Sequence, residues 1–244
     1  MDEIISGRNA VREILRSRHL TINKIYISQT ARGSAVEEII TLARDQKIPV
    51  HHVPAEKTDT LIPDNNQGVV AEIAAGEYME LDDIWKAVKD KPNPLLVMLD
   101  GIEDPHNLGA IIRNAVAFGA HGIIIGKWRC ATVTSTVLKT SAGASEHIAI
   151  ARVTNIAETV TTLKNWNIWV IGTDQTGSPL AKQTFGFPLC IVIGSEGEGM
   201  HRLVKERCDA VVAIPQTTTI SSLNASCASA VILYEIFRRS NPVS

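Results

Sequence analysis

Cysteine is scarce in this sequence: four residues in 244, with no C-x-x-C pair among them. Cys130, Cys190, Cys208 and Cys227 are too scattered for a disulfide framework or a zinc site. They read as buried, reduced thiols of a cytoplasmic protein. Long apolar runs are also missing. The longest, such as 95–99 and 189–193, fall far short of the roughly 20 residues that a spanning helix needs, and they suit buried strands instead. The first ten residues, MDEIISGRNA, lack the basic-then-apolar layout of a secretory signal. No H-E-x-x-H, P-loop or G-x-G-x-x-G occurs, so the usual metal, nucleoside triphosphate and dinucleotide fingerprints are absent, and no metal is expected. Nor does charge of one sign dominate. With 24 Lys and Arg against 26 Asp and Glu the formal charge is −2, so any nucleic acid must be met by a local patch.

Apolar residues at 45% and charged residues at 20% describe a folded chain. The first part reads as a small α/β unit. Residues 8–17 have helical spacing, 22–28 alternate as a strand, 35–46 form an amphipathic helix, and 50–53 and 69–73 are short strands. Residues 75–94 differ, with five acidic residues, three lysines and two prolines, and read as a linker carrying one helix around 81–88. From Leu95 onward come continuous apolar runs at 95–99, 122–125, 166–172 and 189–194, the pattern of a parallel sheet covered on both faces. Helical patterns lie between and after them, at 108–118, 133–140, 156–163, 200–206 and 222–238. The domains expected are therefore 1–74 and 95–244, both α/β.

Charge is uneven within that frame. Residues 1–32 hold a surplus of three positive charges, and Arg8, Arg12 and Arg16 sit four apart on one helix face. Such a stripe suits phosphates. A solvated helix face with a Glu13–Arg16 pair is the alternative.

Three segments of the second domain carry candidate chemistry. In 99–125 a strand ends at Asp100, and a helix starts near Asn107, which is a candidate N-cap. Leu108, Ile111, Ile112, Ala115 and Val116 share its broad face, with Arg113 opposite. Gly109, Ala110 and Ala117 are small enough to let a ligand or another chain approach the guanidinium. In 188–200 a buried strand enters a glycine-rich turn holding Glu196 and Glu198. Those two carboxylates disfavour a phosphate-rich cofactor and tolerate a cationic one. In 213–239 a strand ending at Pro215 leads through a Thr-rich loop into a long helix. Its first turns are unusually small: Ser222, Asn224, Ala225, Ser226, Ala228 and Ser229.

As an ordered set these segments resemble the SpoU/TrmH branch of the SPOUT RNA methyltransferases. N-x-G-x-x-x-R is matched by Asn107, Gly109 and Arg113. The strand followed by G-x-E-x-x-G is matched by Gly194, Glu196 and Gly199. I-P … S-L-N-x-S is matched by Ile214, Pro215, Ser222, Leu223, Asn224 and Ser226. The N-terminal ISGRNAVREIL and INKIYIS resemble the family's small ribosomal-protein-like substrate-binding domain, so the likeness spans nearly the whole chain. The subgroup it is most similar to acts on guanosine in bacterial 23S rRNA. One position departs: Thr218 stands where the family's loop carries glycine.

The resemblance implies a C-terminal α/β domain with a deep trefoil knot, S-adenosylmethionine as cofactor, an obligate homodimer, and methylation of a ribose 2′-hydroxyl in RNA. Arg113, Asn107, Glu196, Asn224 and Ser222 are then the catalytic set. Gly194, Ile214, Leu223, Glu196 and Gly199 are the cofactor set. Arg8, Arg12, Arg16 and Arg113 face RNA. The small face of the last helix would pack in the dimer or the knot. A tRNA substrate and an inactive RNA-binding dimer are the alternatives.

Overall fold

A computed structural model of the chain describes residues 4–17, 21–62, 66–74, 77–217 and 222–241. These form two compact units. The first comprises residues up to Glu77 together with Thr132–Thr136, the second Tyr78–Ala131 and Val137 onward.

The first unit is a four-stranded sheet with helices. Its elements are β1 (Ile4–Ser6), α1 (Arg8–Ser17), β2 (Ile22–Ser28), α2 (Ser34–Asp45), β3 (Val50–Val53), α3 (Ala55–Leu61) and β4 (Val69–Ile73). The strand order is β1-β4-β2-β3, with β4 antiparallel to both neighbours and β2 parallel to β3. Val11, Ile14 and Leu15 of α1 and Val36, Ile39 and Ala43 of α2 bury themselves on Ile25, Ile27, Val69, Ala71 and Ile73. The spacing of those residues is the 3.6 period meeting the period of two. β1 and α3 carry no apolar periodicity of their own, and the sequence pattern gave no sign of them.

The second unit contains α4 (Leu81–Val88), β5 (Leu95–Asp100), α5 (Pro105–Ala117), β6 (Gly122–Gly126), α6 (Ser135–Thr140) from its third residue, β7 (Ala149–Val153) and α7 (Ile156–Asn165). It continues with β8 (Trp169–Pro179), β9 (Leu189–Gly194), α8 (Arg202–Arg207), β10 (Ala210–Ala213) and α9 (Ala225–Ser240). The sheet order is β10-β8-β9-β5-β6-β7, parallel throughout. From β5 the chain runs outward through β6 and β7, then crosses back to lay β9 directly against β5. The C-terminal ends of β5 and β9 meet, Asp100 beside Gly194. This is the place where strand order reverses, the usual ligand crevice of an open parallel sheet.

One face of this sheet offers Leu96, Met98, Ile124, Val170, Cys190 and Val192 to Ile84 and Val88 of α4, Val160 and Leu163 of α7 and Val204 of α8. By the strand period of two, Val97, Leu99, Ile191 and Ile193 turn to the other face, where α5 and α9 pack together. Residues 75–94 were expected to be a linker. The expected helix forms, but from Tyr78 the segment belongs to the second unit. Its Leu81, Ile84, Trp85 and Val88 line one helical face against the sheet core, and Trp85 stacks on Trp166 at 6.2 Å between ring centres. The charges that made the segment look like a linker occupy the opposite face.

Other boundaries also shift. β7 was not foreseen, because Arg152 interrupts its apolar run. α9 begins at Ala225, leaving Ser222 outside it. The strand expected to stop at Gly172 continues to Pro179, and its ladder with β10 jumps: Val211 pairs with Gly172, but Val212 pairs with Ser178. The five residues between arch out of the sheet. Gly177 permits this, since a Cβ there would lie 2.6 Å from the Val212 carbonyl carbon. All four cysteines are free, yet only Cys190 is buried and Cys227 is exposed, which corrects the expectation of four buried thiols.

Because Ile84 is 1% exposed within the sheet core, Ile84→Ala is expected to destabilise the second unit by ~2–5 kcal/mol. Denaturant unfolding followed by tryptophan fluorescence reads this directly. A change near zero would restore the helix to a linker role.

Candidate active site

The three motif segments converge on one side chain. Asn224 is the N-cap of α9, and its Oδ1 accepts hydrogen bonds from Ser226 N (2.9 Å), Ser226 Oγ (2.6 Å) and Cys227 N (3.4 Å). With the oxygen so engaged, Nδ2 is left to donate outward. It bonds Asn107 Oδ1 at 2.9 Å and Glu196 Oε2 at 3.1 Å. Only an amide performs both tasks, since Asp caps but cannot donate and Ser is too short to bridge.

Asn107 lies on α5 but does not cap it. Asp104 does, accepting from His106 N at 3.0 Å, with Pro105 in the first helical position. Proline's fixed φ and missing N–H suit that position, so the cap must be the residue before it. This corrects the expectation that Asn107 starts the helix and frees its side chain for Asn224. Glu196 sits in the tight loop after β9, closed by reciprocal bonds between Ser195 and Gly199 at 3.0 and 3.1 Å. Gly199 has φ +69°, and a Cβ on Gly194 would stand 2.3 Å from the Gly199 carbonyl carbon, so both glycines are required sterically.

Arg113 is exposed on α5, and none of Asn107, Glu196 and Asn224 holds it. The expectation that Gly109 clears space around it is corrected. Gly109 is buried, and its missing Cβ makes room for Thr140, whose own Cβ is 2.7 Å from where that atom would stand. The next residue, Asn114, escaped the sequence reading. Its Nδ2 donates to Ser226 O and Ser229 Oγ, each at 2.9 Å, and clamps α5 to α9. Part of the small-residue face of α9 is thus used within the chain, with Ala225 and Ser229 buried.

Beside this cluster opens a cavity of about 370 Å³. Gly194, Glu196, Gly199, Ile214 and Leu223 all lie on its wall, as does Ser222. Asn107, Asn224 and Arg113 do not. The arch of β8 adds Thr173–Thr176, missed because the ladder jump has no signature in the sequence. Among the described residues the wall carries Asp174, Glu196 and Glu198 and no Lys or Arg. Thr218 lies outside the described residues.

Burial pushes the Asp174 carboxyl up, but hydrogen bonds from Lys205 and Thr176 outweigh it and hold the group below its ordinary 3.8. Lys205 Nζ is 2.8 Å away.

The arginine stripe belongs to the first unit. Arg16 pairs with Glu38 of α2 rather than with Glu13, and Arg12 lies 3.5 Å from the same carboxylate. Arg8 donates to the carbonyls of Gln67 and Arg32 at 3.1 and 3.0 Å. Glu38 therefore offsets part of the stripe's charge.

A depressed carboxylate stabilises the fold above its unfolded pKa and ceases to do so as pH falls through the folded value. Lys205→Met is expected to lose ~0.5–1 kcal/mol at neutral pH, an amount discounted for solvent exposure. It should also flatten the stability decline below about pH 4. Thermal unfolding across pH 3–7 measures both, and parallel pH profiles for the two proteins would contradict the assignment.

Two family models match the chain: the SpoU rRNA Methylase family over residues 94–234, and RNA 2′-O ribose methyltransferase substrate binding over residues 4–79. A Bacillus subtilis (strain 168) protein, YacO, whose name places it with the TrmH family tRNA/rRNA methyltransferases, is 46% identical over 243 residues, 99% of this chain and 97% of its own. A Staphylococcus saprophyticus protein of the same family name is 47% identical over 245 residues, covering 99% and 98%. Among solved structures, the SpoU methyltransferase AviRb from Streptomyces viridochromogenes, in complex with AdoMet, shares the fold with a TM-score of 0.61 at 24% identity, covering 98% of this chain and 90% of that one. The ordered motifs, the parallel sheet that joins them and these likenesses agree: the chain belongs to the SpoU/TrmH family of RNA methyltransferases.

Proposed function

We propose that this protein transfers the methyl group of S-adenosylmethionine to a ribose 2′-hydroxyl of RNA, with a guanosine of 23S rRNA as its target. The observation that carries the reading is the Asn224 bridge, which sets Asn107 and Glu196 together at the rim of an acid-lined cavity. The cavity suits this cofactor. Its volume lies in the usual ligand range of roughly 300–1,000 Å³. Asp174 is paired with Lys205, but Glu196 and Glu198 favour a sulfonium cation, and among the described residues the wall lacks the basic groups that a pyrophosphate would need. Gly194, Gly199, Ile214 and Leu223 would hold the adenosine portion, with Glu196 at the cationic end.

When bound, S-adenosylmethionine supplies an electrophilic methyl group. The chain's task is to position a weak oxygen nucleophile and stabilise the charge it develops. Arg113, exposed on α5 and held by no partner among the described residues, is the group suited to this. A guanidinium stays protonated, so it orients the 2′-hydroxyl and its phosphate rather than removing the proton. Glu196 uses Oε2 toward Asn224 and keeps Oε1 as an acceptor near the ribose, while water takes the proton away. Asn107 and Asn224 hold Glu196 and the ribose in register, and Ser222 steadies the loop.

The first unit would supply RNA affinity through Arg8, Arg12 and Arg16, a reading favoured by its match to a substrate-binding family. A second copy would cover the exposed Val231, Tyr234 and Phe237 of α9, where Phe118 packs on both rings. A homodimer and a C-terminal trefoil knot, an exception to the usual unknotted chain, complete the proposal. Relatives are named for tRNA and rRNA alike, so tRNA is the competing substrate.

Transfer of labelled methyl to unmodified 23S rRNA and to bulk tRNA, side by side, tests this. Label at a ribose 2′-oxygen of rRNA alone is expected. Label on tRNA alone would overturn the substrate, and no label together with no cofactor binding would favour an inactive RNA-binding dimer. Arg113→Lys should lower turnover at least about tenfold with cofactor affinity unchanged. Asn224→Asp should keep the helix cap and stability within ~1 kcal/mol yet lower turnover at least about tenfold, since the bridge to Glu196 becomes a repulsion. Wild-type turnover in either variant removes that residue from the proposed machinery.

A further inference from the structure

A second hollow, of about 230 Å³, opens at the same C-terminal edge of the sheet, over the ends of β5 and β6 and against the starts of α7 and α8. It adjoins the site described above: a Cβ on Gly101 in its wall would stand 3.5 Å from Ser195 Cβ, one residue before Glu196. Its furniture is distinctive. Trp128 and Leu203, 48% and 51% exposed, both line it, so a large indole and an aliphatic side chain face solvent together. The adjoining Arg129 is exposed and adopts φ +50°, a backbone state that is unfavourable for a residue with a side chain. At one wall Asp100, itself 3% exposed, accepts from His201 N at 2.7 Å and lies 2.8 Å from His201 Nδ1. That carboxylate fixes the imidazole and leaves Nε2 as its remaining hydrogen-bonding atom.

A planar stacking surface, an adjacent exposed cation and an oriented imidazole edge form a set suited to one chemistry. RNA is read chiefly where it is single-stranded, through bases splayed onto aromatic rings while cations follow the backbone. The hollow is too small for a drug-sized ligand, whose pockets begin near 300 Å³. We propose that it receives one unpaired nucleobase of the RNA flanking the methylated nucleotide. The base stacks on Trp128 and meets His201 Nε2 at its edge, and Arg129 contacts the neighbouring phosphate. This rests on the RNA-methylating reading above and adds to it a place where sequence or loop structure is recognised.

The test uses the full-length protein and a labelled single-stranded oligoribonucleotide of mixed sequence, about 12 nucleotides long, with an abasic copy as control. Trp128→Ala is expected to bind the oligomer about tenfold more weakly, and Trp128→Phe to recover most of the loss. On the abasic copy wild type and Trp128→Ala should bind alike. RNA should quench the wild-type tryptophan emission and leave that of Trp128→Phe unchanged. With intact rRNA, Trp128→Ala should raise KM and spare kcat, and calorimetric cofactor affinity should not move. Arg129→Gly, which relieves the positive φ, should lower the salt dependence of binding by about one phosphate contact. Equal affinity of Trp128→Ala and wild type for the oligomer, or an equal loss on the abasic copy, overturns the proposal. Methyl transfer by the wild-type protein to intact rRNA decides the underlying reading separately.

Discussion

The amide of Asn224 is used at both ends, and the rest of the site depends on that division. Its oxygen ends the orphan N–H groups of α9, and its nitrogen holds Asn107 and Glu196. A helix start, a glycine loop and a second helix start are thereby locked to one another by a residue that local helix chemistry already demands. The cap makes the bridge rigid, because turning the amide over would set its NH₂ against backbone donors. Stability and site geometry thus share one interaction.

Around that point the steric roles of the glycines become specific. Gly194 allows the loop to fold back on the strand end, Gly177 lets the β8 arch pass over β10, and Gly109 admits Thr140. None lends flexibility. Each marks a place where backbone or side chain approaches too closely for a Cβ, and one of them, Gly194, borders the cavity.

Much of this was readable before any coordinates. The order of the three motifs, the continuous apolar strands and the helix faces of α1, α2 and α5 follow from local chemistry, and all five residues expected around the cofactor lie on one cavity. What escaped was non-local or ambiguous. Asp104 and Asn107 both suit an N-cap, and Pro105 decides between them. The amphipathic face of α4 was hidden by its charge content. The arch of Thr173–Thr176 follows from a register jump against β10, a strand far along the chain. Asp100 and His201 become partners only because β5 and β9 are neighbours. Arg16 meets Glu38 rather than Glu13 because α2 packs beside α1.

The placement of β9 has a consequence for how the molecule is made. β5 finds one neighbour, β6, shortly after it leaves the ribosome, but its other neighbour, β9, is synthesised only after β6, β7 and β8. Contacts so distant in sequence form slowly, and until they form, one side of this buried apolar strand stays open to unwanted pairing. The ligand crevice is the gap that this late insertion closes, so no partly synthesised chain can hold it.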